Sequence, residues 1–219
     1  VQLPTDQFEP HYTQGDLSVY LSFFSEHSNI TVNQQSSIAP HLTLLPLPVR
    51  NVEPALIRCV IKAIKQQKRL DIGYFSVSSG ETESRIISPH SLVFDGIRWH
   101  ARAWCERNQA YRDFVLSRFY ELPEFDDGSA EFGKEQDIEW NTIIDLIIQP
   151  DPRLSKARQQ AIAMDYKMTD GNLVIPCRAA LVKYLIQQLR LDSYNPNPSG
   201  QQIIIEAECW QAIEPYRIS

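Results

Sequence analysis

Nowhere in the 219 residues is there an apolar run approaching the roughly 20 that a membrane-crossing helix needs. The densest, IIDLIIQP, is short and broken by Asp145. No basic start followed by an apolar stretch opens the chain, so no secretion signal is visible. Cysteine is sparse: Cys59, Cys105, Cys177 and Cys209 stand 46, 72 and 32 residues apart. None of those spacings makes a zinc knuckle or a redox pair, which predicts reduced thiols in a cytoplasmic protein. There is no glycine-rich phosphate loop, no Gly-x-Ser-x-Gly turn and no His-Glu-x-x-His helix. With no cysteines or clustered carboxylates near its histidines, the chain points away from an enzyme and predicts neither metal nor cofactor.

Of the histidines, His11, His27 and His41 are scattered through the N-terminal third, and only His90 and His100 fall among strand-like segments. A nuclease or phosphodiesterase working through that pair is the catalytic alternative. Charge is more informative. The net charge of −6 divides into −3 over residues 1–50, +3 over 51–122 and −6 over 123–219. An anionic partner therefore belongs to the middle third.

Periodicity divides the chain in the same places. Residues 1–50 are rich in Gln, Ser and Pro around one apolar segment, LSVYLSFF, and lead through the proline-spaced LTLLPLPVRNVEP, which reads as an extended connector. PALIRCVIKAIKQQKRL then sets Leu56, Val60, Ala63 and Ile64 on one helical face, with Pro54 in the first turn. Four strand-like runs follow, LDIGYFSV, SRIISPHSLVFD, RWHARAWCE and YRDFVLSRFYEL, parted by turn-forming residues. One helix before several short strands predicts a small, strongly bent sheet or barrel over 51–122. The acidic stretch PEFDDGSAEFGKEQDIEW separates this unit from the rest, with residues 123–138 read as a linker. Over 139–219, NTIIDLIIQP, NLVIPC and QQIIIEAE read as strands between the helices LSKARQQAIAMDY and RAALVKYLIQQLRL, a small α/β unit. The fold class is α+β.

The strand RWHARAWC carries the sharpest question. Alternation puts Trp99, Ala101, Ala103 and Cys105 on a core face, and Arg98, His100, Arg102 and Trp104 on the other. Arg112 and Arg118 share a face of the next strand, Tyr74 and Ser76 share one of the first, and Arg85 and His90 flank Ser88-Pro89. An antiparallel sheet commonly has one wet face, and arginines are ordinary there. So many guanidiniums and imidazoles beside aromatic rings are also what binds phosphates and stacks on bases.

The string RIISPHSLVFDGIRWHARAWCERNQAYRDFVLSRFYEL resembles the WYL domain of bacterial transcriptional regulators, with the signature triplet standing here as Trp99-His100-Ala101. Together with LPLPVRNVEPALIRCVIKAI and EWNTIIDLIIQPDPRLSKARQQAIAMDYKM, it is similar to the regulators encoded beside phage-defence systems such as BREX and CBASS. The resemblance implies an Sm-like β-barrel preceded by a helix, and a C-terminal extension that dimerises. It also implies operator DNA read by a winged helix-turn-helix. Residues 1–50 show no such pair of helices, so that part is expected upstream of Val1. The resemblance further implies a nucleotide or single-stranded nucleic-acid effector in the barrel. By position that role falls on Tyr74, Ser76, Arg85, His90, His100, Arg102, Arg112 and Arg118. A stand-alone single-strand-binding barrel is the alternative.

Overall fold

The computed structural model describes residues 50–77 and 79–217. The segment LSVYLSFF and most of the proline-spaced connector lie outside the described residues. The expected first helix is present as α1, Pro54–Gln66, with Pro54 in its first turn, where a missing N–H costs nothing. It buries Leu56, Val60 and Ala63 and ends at Gln67, whose φ of 51° turns the chain while its N–H reaches back to the carbonyls of Ala63 and Ile64.

The four expected strands are β1 (Lys68–Phe75), β2 (Thr82–Phe94), β3 (Trp99–Cys105) and β4 (Ala110–Val115), all paired antiparallel to their neighbours. A fifth, β5 (Glu124–Ser129), was not expected: it lies in the stretch read as a linker and pairs with β1. Its EFDDGS carries no alternating apolar pattern, because as an edge strand it is held by ladder hydrogen bonds and the Arg69–Asp126 ion pair.

The sheet order is β4-β3-β2-β1-β5, so the first and last strands do not pair and the expected closed barrel is an open, bent sheet. Only the chain just beyond β4 returns to β1, through a single bridge between Tyr74 and Phe119 and the Tyr120 N–H donating to Gly73 O. Gly73 suits that crossing, since a Cβ there would lie 2.3 Å from side-chain atoms of Tyr120 and Glu121.

Inside the bend, Leu70, Ile72, Ile87, Ala101, Ala103, Cys105, Phe114 and Leu116 pack with the buried face of α1. In β2 the register slips between Pro89 and Ser91, leaving His90 as the extra residue of a bulge. A proline has no ladder N–H to offer, and a bulge re-aims a side chain.

Beyond β5 come a single turn α2 (Ile138–Asn141), then β6 (Ile143–Pro150), α3 (Lys156–Asp165), β7 (Leu173–Arg178), α4 (Val182–Gln188), β8 (Ile203–Ile205) and α5 (Ala207–Ile213). The strands form a second sheet, β7-β6-β8, antiparallel throughout. Ile144, Leu146 and Ile148 of β6 alternate into a core with Ile162, Val182, Ile186, Ile203, Ile205 and Ile213. The helix expected over RAALVKYLIQQLRL is shorter, because Arg178 still belongs to β7 and a 3-10 turn at Ala179–Leu181 precedes α4. The strand expected over QQIIIEAE stops at Ile205 and yields to α5. No helix among the described residues is long and apolar enough to cross a membrane.

Candidate functional site

The first sheet and the turns beside it border a cavity of about 500 Å³ lined by Tyr74, Ser76, Val77, Arg85, Asn108, Arg112, Asp113, Phe114 and Arg118. Five of the eight expected binding residues meet there. Arg118 arrives although β4 has ended and a 3-10 turn carries it, so strand alternation is not what places it.

The three arginines differ. Arg85 donates to Asn108 Oδ1 at 2.7 Å and pairs with Glu83, which also receives Arg107. Burial pushes the Glu83 carboxyl up, but the hydrogen bonds from Arg107 and Arg85 outweigh it and hold it below its ordinary value. The Arg85 Nε is buried without a partner. Arg112 and Arg118 make no side-chain hydrogen bond or ion pair with any described residue. Tyr74 is a wall rather than a stacking platform: it is 7% exposed, its hydroxyl accepts from the Val115 N–H at 3.2 Å, and Phe114 and Phe119 pack against it edge-on. Ser76 shapes the turn that follows, accepting from the Ser79 N–H at 3.4 Å.

The other three expected residues, His90, His100 and Arg102, are not in the cavity. The face of β3 expected to be wet is closed over by the C-terminal part, leaving Arg102 2% and His100 1% exposed. Arg102 forks onto Asp137, with Nε donating at 2.7 Å and Nη2 at 3.2 Å, and reaches Glu139 at 2.9 Å and Asp113 at 3.5 Å. This is the planar two-point recognition that suits a guanidinium to a carboxylate. The bulged His90 meets the same Asp137 through Nε2 at 3.1 Å. Burial pushes Asp137 up, yet the bonds from His90 and Arg102 leave it well below the usual carboxylate range. Asp137 also accepts the Trp140 N–H at 3.1 Å as the cap of α2.

His100 Nε2 lies 2.7 Å from Asp95, which accepts the N–H groups of Ile97 and Arg98 at 2.8 Å each. Burial holds the His100 imidazole below its ordinary value, against the opposing pull of the Asp95 carboxylate. Burial raises Asp95, but the His100 bond and the two backbone donors outweigh it and bring it to about 2. Tyr184 of α4 lies 4.8 Å from the His100 ring and donates to Asp113 at 2.9 Å, while Lys183 approaches the same carboxylate at 3.3 Å.

The anion behind the arginine and histidine row is thus supplied by the chain itself. Sequence reading missed Asp137 and Glu139 because they sit in the acidic stretch taken to separate the two units. The available signal was the pairing of a +3 middle third with a −6 C-terminal third. Two tryptophans also move. Trp99, expected in the core, is 45% exposed and lies against Phe94 at the end of the β2–β3 hairpin, while Trp104 stacks on Phe132 at 4.2 Å. The two histidines are held by different carboxylates and are both closed off, with side chains 5% and 2% exposed. The described residues contain no group of His, Cys, Asp and Glu arranged to hold a metal.

Residues 55–123 match the WYL domain, and residues 143–212 match the BrxR transcriptional regulator, C-terminal dimerization domain. The DNA-binding transcriptional repressor CapW of Escherichia coli (strain KTE188) is 34% identical over 194 residues, covering 85% of this chain and 63% of that protein. Its namesake from Stenotrophomonas maltophilia is 28% identical over 211 residues, covering 94% and 70%. That from Pseudomonas aeruginosa is 34% identical over 159 residues, covering 72% and 52%. The chain therefore spans somewhat under two thirds of the length of the E. coli relative. The cavity lies wholly within the first matched region, and Asp113 of that region meets Lys183 and Tyr184 of the second. The chain carries a WYL domain followed by a BrxR-type C-terminal dimerization domain.

Proposed function

We propose that this chain is the sensing and dimerising part of a DNA-binding transcriptional repressor of a phage-defence locus, working as a cytoplasmic homodimer. The cavity takes a phosphate-bearing effector, a nucleotide or a single-stranded nucleic acid, and its occupancy alters operator binding by a segment N-terminal to the WYL domain. The observation that carries this reading is the pair Arg112 and Arg118, two guanidiniums on the wall of a 500 Å³ cavity with no carboxylate partner among the described residues. A guanidinium offers a planar fork of donors to phosphate oxygens. Arg85, Tyr74 and Ser76 complete the wall; His90, His100 and Arg102 support it from behind and do not touch the effector. The E. coli, Stenotrophomonas and Pseudomonas relatives are named as DNA-binding transcriptional repressors, and the C-terminal match is named for dimerisation.

The test is titration of the 219-residue protein with a 5′-phosphorylated oligothymidylate and with a nucleoside triphosphate, at two salt concentrations. Binding that weakens steeply with salt and is lost in the Arg112→Ala, Arg118→Ala double variant is the expected result. Equal binding by wild type and double variant ends the reading. A monomeric mass by light scattering at micromolar concentration ends its dimeric part.

A further inference from the structure

Among the described residues, Asp113 borders the cavity and also meets the C-terminal part, its side chain leaving β4 on the face opposite to that of Arg112, across from Arg102. It lines the cavity between Arg112 and Phe114, which line it too. Yet its carboxylate is only 3% exposed and is spent on three donors: Tyr184 Oη at 2.9 Å, Lys183 Nζ at 3.3 Å and Arg102 Nη1 at 3.5 Å. Two of those donors belong to α4, inside the matched dimerization domain. The strand that walls the cavity with Arg112 therefore also anchors, through its other face, a helix in the other domain.

We propose that Asp113 couples cavity occupancy to the docking of α4, so that an anion in the cavity and the Tyr184–Lys183 tie to Asp113 oppose one another. The proposal rests on the cavity being the effector site. An anion held by Arg112 and Arg118 brings negative charge to one face of β4 while the neighbouring Asp113 carboxylate is buried at the other, and like charges separated by little more than a strand's thickness disfavour each other. The structure offers relief in two ways. Arg102 and Lys183 are drawn toward the anion, or the carboxylate gives up its hold; either lengthens the bonds to α4. Coupling of this kind is reciprocal, so loosening α4 strengthens anion binding by the same factor by which the anion loosens α4. Arg102 spreads the effect, because the guanidinium that touches Asp113 also forks onto Asp137, the cap of α2. A displaced Asp113 thus bears on two of the contacts between the first sheet and the C-terminal part, its own to α4 and that of Arg102 to Asp137.

The experiment is amide hydrogen exchange of the whole 219-residue protein, followed in peptides covering α4 and, as an internal reference, α3. Without ligand, Asp113→Asn and Tyr184→Phe should each speed exchange of α4 roughly tenfold and leave α3 unchanged, as loss of one charged hydrogen bond predicts. Tyr184→Phe removes only a hydroxyl, so it decides the matter even if Asp113→Asn does not fold. Inorganic pyrophosphate is the probe for the second half. It should speed α4 exchange in wild type, bind roughly tenfold more tightly to Asp113→Asn, and leave α4 of that variant unmoved. Unchanged α4 exchange in the ligand-free variants overturns the tie. Pyrophosphate that binds through Arg112 and Arg118 while α4 exchange stays the same overturns the coupling. Failure of pyrophosphate to bind wild type at all rules out the anion as trigger and counts against the cavity reading itself, while the ligand-free exchange still decides whether Asp113 anchors α4.

Discussion

Arg102 and Arg112 sit on neighbouring strands, and they have opposite fates. Arg102 is sealed under the C-terminal part with Asp137, Glu139 and Asp113 around it. Arg112 stands exposed on the cavity rim with no carboxylate of its own. They point to opposite faces of the sheet, Arg102 pairing with Asp113 and Arg112 with Ala103, and they differ in what the rest of the chain brings to each face. A guanidinium met by a carboxylate from the same chain becomes part of the interior. One left unmet is free to recognise a phosphate from outside. Function in this sheet is therefore located by where the chain's own acids stop.

The widest separation between the two arginines is expected in stability. Arg102→Ala takes from the buried Asp137 its forked guanidinium and from Asp113 one of its two cations and should cost about 3 kcal/mol, read as a fall in the urea midpoint. Acid should act on the same network next. Asp95 is held down to about 2, below its unfolded value of about 3.9, so its contribution is fully present above pH 4 or so and is lost as pH falls toward 2. The expected loss is about 1–2 kcal/mol, and Asp95→Asn should flatten that part of the stability–pH curve. If the curve is equally steep in the variant, Asp95 is not what titrates. Trp99→Ala should lose no more than about 1 kcal/mol, because the ring is half exposed at a hairpin end; a core-sized loss would show that the hairpin tip is covered in solution. Smallest of all, the Arg112→Ala, Arg118→Ala double variant should melt within about 0.5 kcal/mol of wild type while losing phosphate-dependent binding. A large destabilisation there would make these two arginines structural after all, and the contrast would disappear.

Much of this was legible in the sequence, for identifiable reasons. Pro54 and the 3.6-residue spacing of Leu56, Val60 and Ala63 specify α1 from local information alone. The alternation of Ala101, Ala103 and Cys105 gives the core face of β3, because those three bury no polar atom except a thiol. Alternation says nothing about what covers the opposite face. A wet face and a face closed by distant carboxylates read the same, which is why His100 and Arg102 were placed beside the ligand. β5 was hidden for a related reason: an edge strand held by backbone bonds and one ion pair needs no apolar period. Trp99 misled because period places a residue on a face without saying how far along the strand the cover extends. Cavity membership was better read for Arg112 than for Arg118, which reaches the wall only through the 3-10 turn after β4.

The two covers of β3 also set how this protein is able to change over generations. On the apolar side Ala101 and Ala103 answer to volume, and a neighbour adjusts to a small change by repacking. On the other side, Arg102 and Asp137 are locked by charge across 35 positions of sequence. Neither is replaceable alone without leaving a buried ion behind, whereas replacing both together removes that cost and leaves His90 and the Trp140 N–H to find other partners. Drift at this joint must therefore proceed by paired steps, and among related chains positions 102 and 137 should change together or not at all, while 101 and 103 wander independently of both.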